Sequence, residues 1–263
     1  YLIKLTDANI NICHFLYQSF QPFLEYLINN TNNNVYYMDY KGWSKRYRKL
    51  EYHQVMLDSI VDYFKIINYE GQDISNLKTI NIIPVKPYYN YSIFKFLREQ
   101  IYNKYNFVEK PLQEKYKVLY VRNENKSFIN SPGARQIRNY HLIEHNFDLV
   151  LQSLGNLSVE NQMHLFSRMS HFVCPEGSHL ANVIFMNKMC RVLAIINTGV
   201  FFDSRIVAYD CWQKVFGGEE FVSEIHTGII ATKLFKSNIP EAPWYYRYND
   251  HIIVDKHLKN KIE

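Results

Sequence analysis

The chain has 263 residues, 47% apolar and 21% charged, with a formal net charge of +5 and a sequence pI near 8.8. That length allows one large domain or two small ones with buried cores, and the composition excludes a disordered polyelectrolyte. The mild basicity suits a small anionic ligand better than a long phosphate backbone, so a nucleic acid is not an expected partner.

No run approaches the ~18 apolar residues of a membrane helix, and Tyr1 does not open a signal-peptide pattern, so no membrane segment is expected in this chain. The sequence starts without Met, which fits a piece of a longer protein. The expected location is cytoplasmic, in a chain whose Tyr, Phe, Asn, Ile and Lys bias fits an AT-rich microbial or viral genome. Cys13, Cys174, Cys190 and Cys211 are far apart in apolar surroundings and read as buried thiols, without metal or disulfide spacing. The densest basic run, Lys45-Arg46-Tyr47-Arg48-Lys49, reads as a solvated helix face.

In chain order, residues 1–5 form a short strand. NICHFLYQSFQPFLEYLINN follows with apolar positions at helical spacing and ends in the turn-forming stretch 29–34. VYYMDY is a strand, YHQVMLDSIVDYFKII a helix with an apolar face through Val55, Leu57, Ile60, Val61 and Phe64, and TINIIPV a buried strand stopped by Pro84 and Pro87. YSIFKFLREQIYNKY is a further helix, and the polar NFVEKPLQEKYK is a linker. A second series then begins, with strands at VLYV, FDLVLQS, HFVC and RVLAI and a helix at ARQIRNYHLI carrying Arg135, Arg138 and Asn139 near its head. After Asp203 the pattern is less regular, with a helical IVAYDCWQKVF and an aromatic loop EAPWYYRYND. Alternating strands and helices predict parallel sheets covered on both faces. The architecture expected is α/β, with two βα domains over 1–110 and 111–263 and a cleft between them.

The organising stretch runs from Val118 to Ile196. Its turn Pro175-Glu176-Gly177-Ser178 lies between the strand HFVC and the apolar helix HLANVIFM. Such a turn points free backbone N–H groups and the positive end of a helix out of the end of a sheet, where an anion binds. Gly177 serves equally as a turn glycine, and Ser178 equally as a helix N-cap. Asn182 lies one turn into an apolar helix and needs a polar partner, which a ribose or base supplies. Gln162 reads as a buried structural amide or a ligand contact. Arg135 and Arg138, three apart on one helical face, suit a phosphate or a surface ion pair.

At these residues the chain resembles glycosyltransferase family 61. The resemblance rests on Asn11-Ile12-Cys13-His14-Phe15-Leu16, on Tyr120-Val121-Arg122 followed by Arg135, Arg138 and Asn139, on Gln162, and on Glu176-Gly177-Ser178-His179-Leu180-Ala181-Asn182. These pieces stand in the family's order. In the chain Glu176 replaces the usual His before the glycine, His179 stands nearby, and Tyr140 replaces the usual acidic residue after Asn139. The resemblance implies two facing Rossmann-like domains of the GT-B type, a nucleotide-sugar donor held mainly by the C-terminal one, and transfer with inversion. UDP is the expected carrier. The acceptor is a glycan or another hydroxyl-bearing molecule.

Breaking the donor's glycosyl bond leaves negative charge on the outer phosphate, and that charge needs stabilising as it develops. The sequence offers no Asp-x-Asp loop and no His/Cys cluster with ligand spacing, so a metal-independent reaction without a cofactor is expected. Backbone N–H groups from Gly177 to His179, with guanidinium groups from Arg122, Arg135 or Arg138, take the metal's place. Inversion also needs a base to accept the acceptor's proton. His14 is the first candidate and Glu176 the second, ahead of Asp7, His179 and Asp203; His14 reads equally as a core histidine beside Phe15. The competing class is a non-catalytic nucleotide-binding or interaction module of the same fold.

Overall fold

The structure is a computed structural model and describes residues 1–5, 15–30, 34–38, 51–69, 71, 73–83, 90–108, 111, 114–122, 136–175, 177–186, 190–196 and 228–229. Contacts divide the chain into two units, Tyr1–Val108 with Ser178–Phe185, and Glu109–Gly177 with Met186–Glu263. Neither unit is continuous in sequence: Ser178–Phe185 lies inside the range expected for the second domain and packs with the first unit. Both units carry all-parallel sheets, so the chain is α/β as the alternating pattern predicts.

In the first unit β1 (Leu2–Leu5), β2 (Tyr36–Met38), β3 (Ile66–Asn68) and β4 (Thr79–Ile82) form a sheet of order β3-β2-β1-β4. β1 is central and pairs in register from Leu2↔Thr79 to Leu5↔Ile82. The TINIIPV segment differs from expectation: among the described residues β4 is an edge strand, which buries Ile82 but leaves Thr79 and Asn81 exposed.

The first predicted helix is split into a π-helix, Phe15–Phe20, and α1, Gln21–Asn29. Pro22 has no N–H to return to a carbonyl one turn earlier, so the regular ladder cannot run through it. Phe15, Leu16, Phe20, Phe23, Leu24 and Leu27 are buried at the spacing that the sequence shows. The second predicted helix is shorter than its pattern. α2 covers Glu51–Asp58, and the expected continuation through Ile67 is instead turns and then β3. Lys65 breaks it at φ 53, and the β-branched pair Ile66-Ile67 finds a ladder partner in Tyr36 and Tyr37.

α3 (Tyr91–Lys104) has signals at both ends. Asn90 caps the start by accepting from the N–H groups of Ser92 and Ile93. At the end Asn106 takes a left-handed φ of 54, Phe107 N–H donates to Tyr102 O at 3.0 Å, and the two rings meet edge-on at 5.4 Å. This is a Schellman ending, with Asn in the position that tolerates αL. It stops the helix where the polar stretch from Asn106 begins.

In the second unit β5 (Tyr116–Tyr120), β6 (Leu149–Leu151), β7 (Met169–Pro175), β8 (Arg191–Ile196) and β9 (Gly228–Ile229) form a sheet of order β6-β5-β7-β8-β9. β7 is flanked on both sides, and its run MSHFVCP is buried almost throughout. α4 (Val159–Ser167) buries Val159, Gln162, Met163 and Phe166 on one face, and Phe166 meets Phe172 of β7 edge-on at 4.9 Å. Ser158 caps it by accepting from Asn161 N–H. The opposite face of the sheet buries Leu119, Val121, Val173, Leu193 and Ile195 with Ile137 and Ile143. The alternation of Tyr120 and Phe172 toward one layer and Leu119 and Val173 toward the other is the two-residue period of a strand.

The helix expected at ARQIRNYHLI does not form among its described residues. Ile137 makes a strand-like bridge, Arg138 and Asn139 form a turn, and two single 3₁₀ turns follow at Tyr140–Leu142 and Glu144–Asn146. Ile137 N–H donates to Val121 O at 3.2 Å, which holds this segment alongside the end of β5. Among the described cysteines, Cys174 and Cys190 are buried free thiols as expected. Cys13 and Cys211 lie outside the described residues, as do the two elements expected at 206–216 and 241–250. Among the described residues no helix is long and apolar enough to cross a membrane.

Candidate functional site

In an open parallel sheet, ligands enter the crevice beyond the carboxyl ends of two neighbouring strands whose connections leave in opposite directions. In the second unit that reversal lies between β5 and β7: counted within the unit, the strand order is 2-1-3-4-5. The residues just past those two ends are Val121 and Arg122 on one strand, and Gly177 on the other.

Val121 is pinned from two sides, donating to Leu151 O at 2.9 Å and accepting from Ile137 N–H. The next residue leaves the strand direction abruptly, because Arg122 has φ 57. A residue with a Cβ pays about 1–2 kcal/mol in that region, which its surroundings must offset. The Arg122 Nη1 atom is buried and has no hydrogen-bond partner among the described residues. A guanidinium does not deprotonate, so a buried donor on it calls for an acceptor, best an anionic one. Gln136, one residue before the Ile137 bridge, is 6% exposed, and its Oε1 is likewise buried without a partner among the described residues.

The other residues singled out in the sequence fall in different places. Gly177 is buried at the end of β7. Arg138 is exposed and Asn139 half-buried in the turn after the bridge; the helix expected to carry Arg138 does not form over residues 136–139, where the backbone is held as a strand-like bridge and a turn. Gln162 turns inward: its Nε2 donates to Leu154 O and to Leu157 O, both at 3.1 Å, so its amide nitrogen holds the 154–157 loop onto α4. His14, Arg135 and Glu176 lie outside the described residues, with the alternative bases Asp7 and Asp203.

Ser178 opens a 3₁₀ helix, Ser178–Phe185, that packs within the first unit. His179 on it is half-buried, and Leu180, Ala181, Val183, Ile184 and Phe185 are buried. Two tyrosines hold it. Tyr102 Oη donates to Phe185 O at 2.8 Å, and the Tyr52 ring stacks on Phe185 at 6.2 Å. Asn182, 2% exposed, hydrogen-bonds the Tyr52 hydroxyl; burial pushes that phenol's pKa up and the Asn182 contact opposes the shift. The polar partner that Asn182 requires is thus Tyr52. Neither Tyr52 nor Gln136 carries a motif; the available signal for Gln136 is its place between Arg135 and the β-branched Ile137, read as a strand.

His53 on α2 is a buried imidazole set edge-on to Phe15 with ring centroids 3.8 Å apart. Burial lowers its pKa to about 4, so it is neutral near pH 7. Among the described residues no three His, Cys, Asp or Glu side chains gather as a metal site.

The family model described as Glycosyltransferase 61 matches residues 12–193. The chain belongs to glycosyltransferase family 61. Among curated proteins none matches it in sequence. The family 61 match covers Arg122, the Ile137 bridge, α4, β7 and the 3₁₀ helix, and so contains both strand ends of the reversal in the second unit. Membership of a glycosyltransferase family makes the protein a transferase with a sugar donor and an acceptor.

Proposed function

We propose that the protein moves a sugar from a nucleotide-sugar donor, UDP-linked, to a hydroxyl of a glycan or related acceptor, with inversion and without a metal. The second unit holds the donor and the first serves the acceptor, as two Rossmann-like halves of a GT-B type enzyme. The observation that carries this reading is the buried Nη1 of Arg122, without a hydrogen-bond partner among the described residues, at the strand-order reversal of a family 61 chain. An anion at that position supplies the acceptor that Nη1 lacks, and a donor diphosphate is such an anion.

In this reaction the acceptor oxygen attacks the anomeric carbon on the face opposite the diphosphate. A carbon–oxygen bond forms there as the bond to the outer phosphate breaks, and the nucleoside diphosphate leaves with the electron pair. Arg122, with Arg135, Arg138 and the backbone N–H of Gly177, stabilises the charge on the leaving oxygens. His14 or Glu176 takes the proton from the acceptor hydroxyl. Asn139 is a further binding residue of the donor side, and Gln162 a positioning residue that holds the 154–157 loop onto α4.

The test is a melting-temperature screen of the purified chain against UDP, GDP and CMP and their sugar conjugates, with chelator and with Mn²⁺. A ligand of the folded state raises the melting temperature by mass action. A shift with UDP that persists in chelator supports the reading. Turnover that vanishes in chelator and returns with Mn²⁺ or Mg²⁺ removes metal independence, and retained anomeric configuration in the product removes inversion. Absence of any nucleotide shift favours the non-catalytic module.

A further inference from the structure

We infer that Gln136 is a donor-binding residue, whose Oε1 accepts a hydrogen bond from an N–H or O–H on the nucleoside of the donor. The inference rests on the proposed nucleotide-sugar reading and extends it to a residue outside every motif of the chain.

The geometry begins with the backbone. Ile137 N–H bonds to Val121 O, so residues 136–137 run beside residues 121–122 at the carboxyl end of β5. On one of these two segments sits a buried donor without a partner, Arg122 Nη1, and on the other a buried acceptor without a partner, Gln136 Oε1. Folded proteins leave few such atoms, and each asks for an explanation. These two are complementary in type and lie on neighbouring backbone segments, yet they do not satisfy each other. A ligand that satisfies both accepts at one point and donates at another. A fully ionised inorganic phosphate accepts but cannot donate. A nucleoside diphosphate does both, accepting through phosphate oxygens and donating through ribose hydroxyls or a base N–H.

Other buried polar atoms without partners lie elsewhere. Asn146 Nδ2 belongs to the turn that precedes β6, at the amino end of these parallel strands, opposite to the end where Arg122 lies. Ser19 Oγ and Gln21 Nε2 belong to the helical backbone of the first unit. Neither set adjoins a strand-order reversal as Arg122 and Gln136 do.

A purely structural glutamine and a ligand-binding one answer the same substitution in opposite ways. Removing a buried carbonyl that has no partner costs the ligand-free fold nothing and relieves a desolvation penalty, whereas removing it from a bound ligand leaves a buried donor unpaired. The experiment is Gln136→Met, close in size, in the full chain. Its ligand-free melting temperature is measured, then its affinity for UDP and for pyrophosphate by calorimetry. The expected result is a melting temperature equal to or above wild type, UDP affinity lower by about 5- to 100-fold, and unchanged pyrophosphate affinity.

Wild-type binding of 2′-deoxy-UDP, 3′-deoxy-UDP and 3-methyl-UDP identifies the donating group, as the analogue that binds weakly and loses nothing further in Gln136→Met. The inference is overturned if UDP affinity is unchanged, if none of the three analogues is weakened, or if UDP and pyrophosphate weaken together with a lowered melting temperature. Wild-type binding of UDP with an unaffected Gln136→Met sinks this inference alone; no wild-type binding of UDP sinks the proposed UDP donor with it.

Discussion

Both units are all-parallel sheets joined through helices, and each keeps buried polar atoms without partners among the described residues, yet in different positions. In the first unit they are Ser19 Oγ and Gln21 Nε2, on residues 1% and 0% exposed within helical backbone. In the second they include Arg122 Nη1 and Gln136 Oε1, just past the end of a strand where the order reverses, besides Asn146 Nδ2 in the turn before β6. The comparison teaches that an unmet hydrogen bond points to a ligand through its position on the topology. The corresponding reversal in the first unit lies between β1 and β4, and the residues that follow these strands in sequence, 6–14 and 84–89, are outside the described residues. His14 falls in that stretch.

The largest effect should come from Arg122→Met. Losing a charge-assisted contact to a diphosphate costs roughly 2–4 kcal/mol, a 30- to 1,000-fold loss of UDP affinity. Calorimetric titration measures it. An unchanged affinity would erase the distinction between the two units.

The first unit should instead answer to pH. The folded pKa of His53 is lowered from 6.5 to about 4, so its contribution is fully present above the unfolded value and is lost as pH falls from about 6.5 through 4. The full swing is on the order of 3 kcal/mol. Urea melts at pH 7 and pH 4.5 measure it, and His53→Leu should flatten the slope without changing nucleotide affinity at pH 7.

A smaller effect is expected for Tyr102→Phe, which strips the Phe185 carbonyl of a buried donor and should cost about 1–3 kcal/mol of stability. Denaturant midpoints measure the loss, and a change below a few tenths would mean that the carbonyl finds another donor. The smallest is Ser19→Ala. With no partner to lose, it should shift stability by less than about 1 kcal/mol, neutral or upward, and leave UDP affinity unchanged. A clear destabilisation would show that this hydroxyl is satisfied by buried water.

Much of this fold was legible in periodicity. The βα alternation, the strands VLYV, HFVC and RVLAI, and helix α3 with its Asn90 cap all follow from local spacing. The misreadings share a cause. Residues 52–67 and 134–143 carry helical spacing of apolar side chains, but Ile66-Ile67 and Ile137 had strand partners at Tyr36-Tyr37 and near Val121 that no local window contains. Tertiary pairing overrode propensity there. β9, two residues of Gly and Ile, gives no periodic signal at all.

The site divides in the same way. Arg122 and Gly177 could be found because they end recognisable strands. Gln136 could not, because its significance depends on the bridge made by its neighbour. Gln162 and Asn182 were visible as polar residues on apolar faces, and their partners, Leu154 and Leu157 for one and Tyr52 for the other, were not.

The 3₁₀ helix that joins the first unit from far along the chain has a consequence in time. The bond from Tyr102 to Phe185 spans 83 residues, and ribosomes add roughly 5–20 residues per second. The first unit therefore waits about 4–17 seconds after Tyr102 is made before its last piece exists. During that interval the contacts of Tyr52 and Tyr102 with the 3₁₀ helix are unmade, and a nascent first half is the species a chaperone would meet. A synonymous-codon change that slows translation between residues 109 and 185 should lengthen that exposure without altering a single contact in the finished protein.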